Sequence, residues 1–199
     1  MLPKFLCLCF AMCLASQGAA QSGSSDISRL KLSAQLFAAG QNENDPLLMI
    51  AAAKIRQNTN LTPAEGSKAL DWSMMLDRAA AMASDNDMLT ELIEDIRAER
   101  DKGVASGPVY SLVEIRGGGT DEYAALPFSG GAYAEVYIEG KGDSDLNLFI
   151  YDAQDRLVCS DTDISDIAYC GWRPASTSAF RVEVRNRGDQ TNQYALITN

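Results

Sequence analysis

The stretch that decides the fold is "GDSDLNLFIYDAQDRLVCSDTD", residues 142–163. Leu146, Leu148 and Ile150 alternate with Asn147, Phe149 and Tyr151. A period of two places the first set on one face of a strand. "DAQD" then breaks the pattern with turn residues, and a short second strand is expected near Leu157. The stretch therefore predicts a core strand, a turn and a neighbouring strand.

The same period continues on both sides. "AYAEVYIEG" puts Ala134, Val136 and Ile138 on one face, with Tyr133, Glu135, Tyr137 and Glu139 on the other. "AFRVEVRNRG" buries Phe180, Val182 and Val184 and leaves Arg181, Glu183 and Arg185 outside. "PVYSLVEIR", "DEYAALPF", a short segment near Tyr169 and the terminal "QYALITN" add further strands. Close spacing with turn signals between is the pattern of a sandwich. Residues 26–103 have a different period. "DISRLKLSAQLFAAG" and "DPLLMIAAAKIRQ" are candidate helices, the second opened by Asp45 and Pro46. In "LTPAEGSKALDWSMMLDRAAAMA", Thr62, Pro63 and Glu65 read as a capping box. Trp72, Leu76, Ala79, Ala80 and Ala83 then form an apolar stripe. A fourth helix is expected from Ser84 or Asp85, ending before Gly103.

The expected architecture is segregated α+β. A small helical region over 26–103 precedes an antiparallel, jelly-roll-like β-sandwich of seven or eight strands over 109–199. "VASGPV" (104–109) is the natural boundary.

Residues 1–20 read as a secretory signal peptide. Lys4 precedes an apolar run from Phe5 to Ala15, and Gly18-Ala19-Ala20 offers a small-residue exit. The run is shorter than the roughly 20 residues a membrane span needs. Cleavage after Ala20 removes Cys7, Cys9 and Cys13. Cys159 and Cys170 remain, and an even pair in an exported chain reads as one disulfide. Closing so short a loop contributes about 2.5–3 kcal/mol by chain entropy, before strain.

The net charge of −10 provides no basic footprint for nucleic acid or an anionic membrane surface. The chain contains no histidine. Ser-His-Asp and Cys-His nucleophile systems are thereby excluded, with His-based zinc proteases. "SRLK" (28–31) matches Ser-x-x-Lys but lacks its companion elements, and reads as a helix start. "RGGGT" (116–120) lacks the Lys-Ser/Thr ending of a phosphate loop and reads as a turn between strands.

Residues 139–166 hold eight acids, Glu139, Asp143, Asp145, Asp152, Asp155, Asp161, Asp163 and Asp166, against Lys141 and Arg156. Calcium takes six to eight oxygen ligands, which loop aspartates supply. Asp143, Asp145, Asp161 and Asp163 are the candidate calcium set; the other reading is a solvated rim that caps turns. Arg173, Arg181, Arg185 and Arg187 follow, with Glu183 between them. They orient a partner or balance the acidic loops. Tyr133, Tyr137, Phe149 and Tyr151 either form one exposed aromatic patch or pack within the fold.

On "GDSDLNLFIYD", "RLVCSDTD" and "YCGWRPASTSAFRVEVRNRGDQTNQYALIT", residues of about 109–199 resemble the bacterial pre-peptidase C-terminal domain family. The resemblance implies a β-sandwich of exported proteins; some members bind calcium, and some help a host protein engage its substrate. The helical half carries no peptidase chemistry, so it implies a fold and a setting, not proteolysis. Together these readings predict an exported, periplasmic or secreted, non-enzymatic binding or accessory protein of the bacterial cell envelope. Its expected partner is an envelope or extracellular protein or glycan. The alternative is a hydrolase, or a regulator of an exported peptidase, with a site the motifs do not reveal.

Overall fold

A computed structural model describes residues 25–59, 62–63, 71–98, 109–141 and 144–199. The expected signal peptide, with Cys7, Cys9 and Cys13, lies outside the described residues, as do Glu65, Gly103 and Asp143.

Helix α1 spans Asp26–Glu43. Ser25 caps it by accepting the Ser28 backbone N–H at 3.0 Å. It ends on Asn44 in the left-handed conformation, whose backbone N–H donates to the Gly40 carbonyl. Helix α2 spans Pro46–Gln57, capped by Asp45, with Pro46 in the first turn as expected. Gly40 lets the pair close: a Cβ there would meet Met49 Cγ at 2.6 Å and the Asp45 carbonyl at 2.9 Å.

Pro63, expected at the first helical position, lies in a strand instead. Thr62–Pro63 is a short strand, β1, pairing in parallel with Val109 and Tyr110. Proline is tolerated on a sheet edge because no ladder donor is lost there. Helix α3 instead spans Trp72–Met82, and Asp71 caps it through the Ser73 and Met74 N–H groups. Helix α4 spans Asp87–Ala98, later than expected, because Asn86 takes the Leu89 N–H as its cap. Met49, Ile50, Leu76, Ala79, Ile93 and Ile96 form the core shared by α2, α3 and α4.

The remaining strands are β2 (Val109–Ile115), β3 (Thr120–Phe128), β4 (Ala134–Gly140), β5 (Leu146–Tyr151), β6 (Leu157–Asp161), β7 (Ile167–Trp172), β8 (Ser178–Asn186) and β9 (Asn192–Thr198). They form two sheets, one ordered β1-β2-β9-β4-β7 and the other β3-β8-β5-β6. Apart from β1, every pairing is antiparallel. Among the described residues the fold is α+β: four helices, then a β-sandwich of eight antiparallel strands. Leu146, Leu148 and Ile150 are fully buried between the sheets, with Val136, Ile138, Val182 and Val184. Each such aliphatic side chain contributes roughly 1.5–3 kcal/mol by leaving water. "RGGGT" is a turn carrying the chain from β2 to β3, that is, from one sheet to the other.

Both faces of β4 are buried. Its second face packs under α1: Tyr137, Ala195 and Ile197 form a cluster with Ile27 and Leu30. A period-two pattern marks the two faces of a strand but not what covers them. The helical half therefore forms a third layer on the first sheet. Glu183, expected outside, is also buried, flanked by Arg181 and Arg185.

Candidate functional site

The edge strands β6 and β7 belong to opposite sheets, and the Cys159–Cys170 disulfide joins them. At one end of this edge two loops face each other. The first is the turn from the opening stretch. Asp152 Oδ1 accepts the backbone N–H groups of Gln154 at 2.9 Å and Arg156 at 3.0 Å. Arg156 Nε then donates to Asp152 Oδ2 at 2.7 Å. The Arg156 guanidinium, aided by those backbone donors, holds the Asp152 carboxyl below the usual carboxylate range. Asp155 takes the left-handed conformation that closes the turn. Val158 is the extra residue of a bulge, since Tyr151 pairs with Leu157 and Ile150 with Cys159.

The second loop follows β7. Arg173 donates to the Gly131 carbonyl, and the Gly131 N–H donates to the Pro174 carbonyl at 2.8 Å. Between the loops lies a cleft of about 260 Å³. Asp152, Gln154, Arg156 and Val158 line one side, and Arg173, Ser176 and Ser178 the other. Trp172 and Phe180 also line it, packed edge-to-face with centroids 5.2 Å apart. The Trp172 indole N–H is buried and has no hydrogen-bond partner among the described residues. A smaller cleft of about 200 Å³ beside Phe128, Tyr133 and Asn199 has no charged side chain in its lining.

The larger cleft brings two arginine side chains together with serine hydroxyls beside the mostly buried Trp172 and Phe180. Of its residues, the sequence pattern singled out Asp152, Arg156 and Arg173 only as charges. Trp172 was not singled out. The available signal was "CGWRP" directly after a bridged cysteine, which places an aromatic and a cation at a strand end.

The candidate calcium set is distributed as follows. Strands β5 and β6 are neighbours, and Leu148 pairs with Asp161, so Asp145, Asp161 and Asp163 lie toward one end of the sheet. Asp161 is occupied by the chain: Oδ1 accepts the Asp163 N–H at 3.3 Å and Oδ2 the Tyr169 N–H at 2.9 Å. Asp145 Oδ1 accepts from Asn147 Nδ2 at 3.0 Å. Among the described residues no three acids or cysteines converge as a metal site, and Asp143 lies outside them.

Of the two readings of the aromatic residues, the single exposed patch does not hold, since they are divided between two sheets, and packing within the fold holds for Tyr137. Tyr137 is buried beneath the helices, whereas Phe149 and Tyr151 lie on the outer face of the other sheet. There Arg185 sits 4.5 Å over the Phe149 ring and Arg181 4.1 Å over Tyr151. Arg181 also pairs with Asp155 and Glu183, and Arg185 with Glu183. Of the four clustered arginines, Arg181 and Arg185 balance acids within the fold. Ser28 of "SRLK" lies in the first turn of α1, bonded to the capping Ser25, while Lys31 Nζ lies 4.7 Å over the Tyr169 ring. Sequence reasoning missed the buried joint between helices and sheet: Arg56 with Glu139 and Tyr137, and Ser25 with Glu135 and Tyr169.

No protein-family model and no curated protein matches the chain. Solved structures similar to it include the pre-peptidase C-terminal domain of a collagenase from Bacillus anthracis, at 11% identity over 46% of this chain and 89% of that one, with a TM-score of 0.39. The Yersinia pseudotuberculosis-derived mitogen is similar at 10% identity over 47% of this chain and 85% of its own, with a TM-score of 0.37. PliG of Aeromonas hydrophila, a periplasmic inhibitor of g-type lysozyme, is similar at 13% identity over 49% and 93%, with a TM-score of 0.34. Likeness of this degree carries no functional inference for this chain. No helix among the described residues is long and apolar enough to cross a membrane.

Proposed function

We propose that this chain is an exported, non-enzymatic binding or accessory protein of the bacterial cell envelope, which engages its partner through the Trp172 cleft. In this reading residues 1–20 are a leader, 26–103 a helical brace and 109–199 the binding sandwich. The observation that carries it is the cleft itself. Two loops place Arg156 and Arg173 beside Trp172 and Phe180 at the end of a disulfide-bridged edge. A rigid scaffold presenting loops at one end is a common arrangement for recognition. The disulfide supports an oxidising compartment.

The test is fractionation and co-sedimentation in the native host. The mature chain is expected outside the cytoplasm with Gln21 at its amino terminus. It is also expected to sediment with native cell envelopes, and Arg173→Glu should release it. A cytoplasmic chain retaining Met1, or envelope binding indifferent to Arg173, would sink the reading.

A further inference from the structure

We propose that the helical layer is a releasable cover: it lifts off the first sheet as a unit, with both cores intact, and uncovers the outer face of β4 and β9. This goes beyond the binding role proposed above and does not draw on the Trp172 cleft. The two cores are separate. Met49, Ile50, Leu76, Ala79, Ile93 and Ile96 belong to a cluster built by helices, and Val136, Leu148, Val182 and Val184 to one built by strands. A small joint lies between them. From the helices it takes Ile27 and Leu30, set against Tyr137, Ala195 and Ile197 of the sheet. The ladder from β1 to β2 adds two residues. Apolar stabilisation follows the area removed from water, so this joint is weaker than the core on either side of it.

The polar side chains of the joint are satisfied on their own side as well as across it. Arg56 pairs with Glu139 across the joint at 2.7 Å. Arg56 Nε also donates to Ser33 Oγ within the helices at 3.1 Å, and Glu139 accepts from the Tyr137 hydroxyl within the sheet at 2.9 Å. Ser25 donates to Glu135 across the joint at 2.8 Å. Ser25 Oγ also accepts the Ser28 N–H, and Glu135 accepts from the Tyr169 hydroxyl at 2.9 Å. Opening therefore leaves none of these four side chains without a partner. It also returns Arg56 and Glu139 to water together, and their hydration offsets the lost attraction. Joints between parts of one chain that are not large and apolar permit relative motion. Once open, the sheet presents Tyr137, Ala195 and Ile197 between the carboxylates of Glu135 and Glu139, a face that the closed form keeps buried.

The experiment places single cysteines in the mature, oxidised chain and follows their alkylation by iodoacetamide across a urea series. Ala195→Cys reports the joint, Ala79→Cys the helical core and Val184→Cys the sandwich core; all three positions are buried. Ala195→Cys is expected to react at least about tenfold faster than the other two without urea, through opening short of global unfolding. Its log rate should also rise less steeply with urea, because that slope follows the surface exposed. Ile27→Cys reads the same opening from the helical side and should share the rate and slope of Ala195→Cys. Urea midpoints of the four variants serve as the folding control. One common rate and slope at all positions overturns the proposal, since the chain then opens only by unfolding as a whole. So does Ala79→Cys reacting as fast as Ala195→Cys, which means that the helices unfold rather than lift away. Disagreement between Ile27→Cys and Ala195→Cys overturns it too, because one opening must expose both.

Discussion

Arg56 Nη2 lies 2.7 Å from Glu139 Oε1, joining α2 to β4 across the boundary between the helical layer and the sheet. Arg56 Nε also donates to Ser33 Oγ on α1, and Tyr137 donates to Glu139. One buried guanidinium thus ties two helices to the sandwich. Burial opposes its charge, and the Glu139 carboxylate restores it, leaving the guanidinium more firmly protonated than usual.

Arg56→Met leaves Glu139 buried beside a neutral side chain. Breaking such a pair costs about 3–5 kcal/mol. Urea unfolding should show that loss. The double variant with Glu139→Met should lose less than the sum of the two single changes, because removing both charges removes the unpaired one.

The disulfide holds the β6–β7 edge closed. Replacing Cys159 and Cys170 together by serine should lower stability by about 2.5–3 kcal/mol. Because Cys170 is buried and the bridge adjoins the Trp172 loop, the indole resonance of Trp172 should broaden or shift in that variant. An unchanged resonance and an unchanged denaturation midpoint would contradict the role given to the bridge.

Alkaline pH should destabilise the fold. Burial, with Glu139 nearby, raises the Tyr137 phenol well above its ordinary value. Burial also raises Tyr194, together with its bonds to Tyr123 and Asp121. A folded-state pKa above the unfolded value gives stability that is complete below the unfolded pKa of about 10 and declines as pH rises beyond it. Urea midpoints should therefore fall above about pH 10. Tyr194→Phe should flatten that fall, since phenylalanine has no proton to retain.

The contacts of Asp161 favour turn-clamping as its role. Asp161→Ala should cost on the order of 1 kcal/mol, through two lost hydrogen bonds to backbone N–H groups, equally in calcium and in chelator. Calcium held by Asp143, Asp145, Asp161 and Asp163 gives a different result. Saturating calcium then raises the melting temperature of the wild type, and Asp161→Ala abolishes the rise.

The core strand was legible because its information is local. Leu146, Leu148 and Ile150 alternate, and all three are buried where the period places them. The Asp45-Pro46 helix start and the "RGGGT" turn were legible for the same reason: each follows from backbone preferences within a few residues. At Thr62 a capping box and an edge strand use the same residues, so neighbours in the chain do not decide between them. The choice was made by β2, which lies far along the chain. The cleft was legible only in part. "YDAQDR" announces a turn, but its partner wall begins at Trp172, and nothing local connects the two.

By itself, then, the sequence determined the two-part α+β order, the strand faces, the cysteine pair and the absence of histidine chemistry. Tertiary structure alone decided that α1 covers the second face of β4, that Arg56 meets Glu139, and that Trp172 and Arg173 stand opposite Asp152 and Arg156. The physical reason is range. Periodicity and capping are set by neighbours in the chain, whereas Arg56 and Glu139 are 83 residues apart and are brought together only by the packing of whole layers.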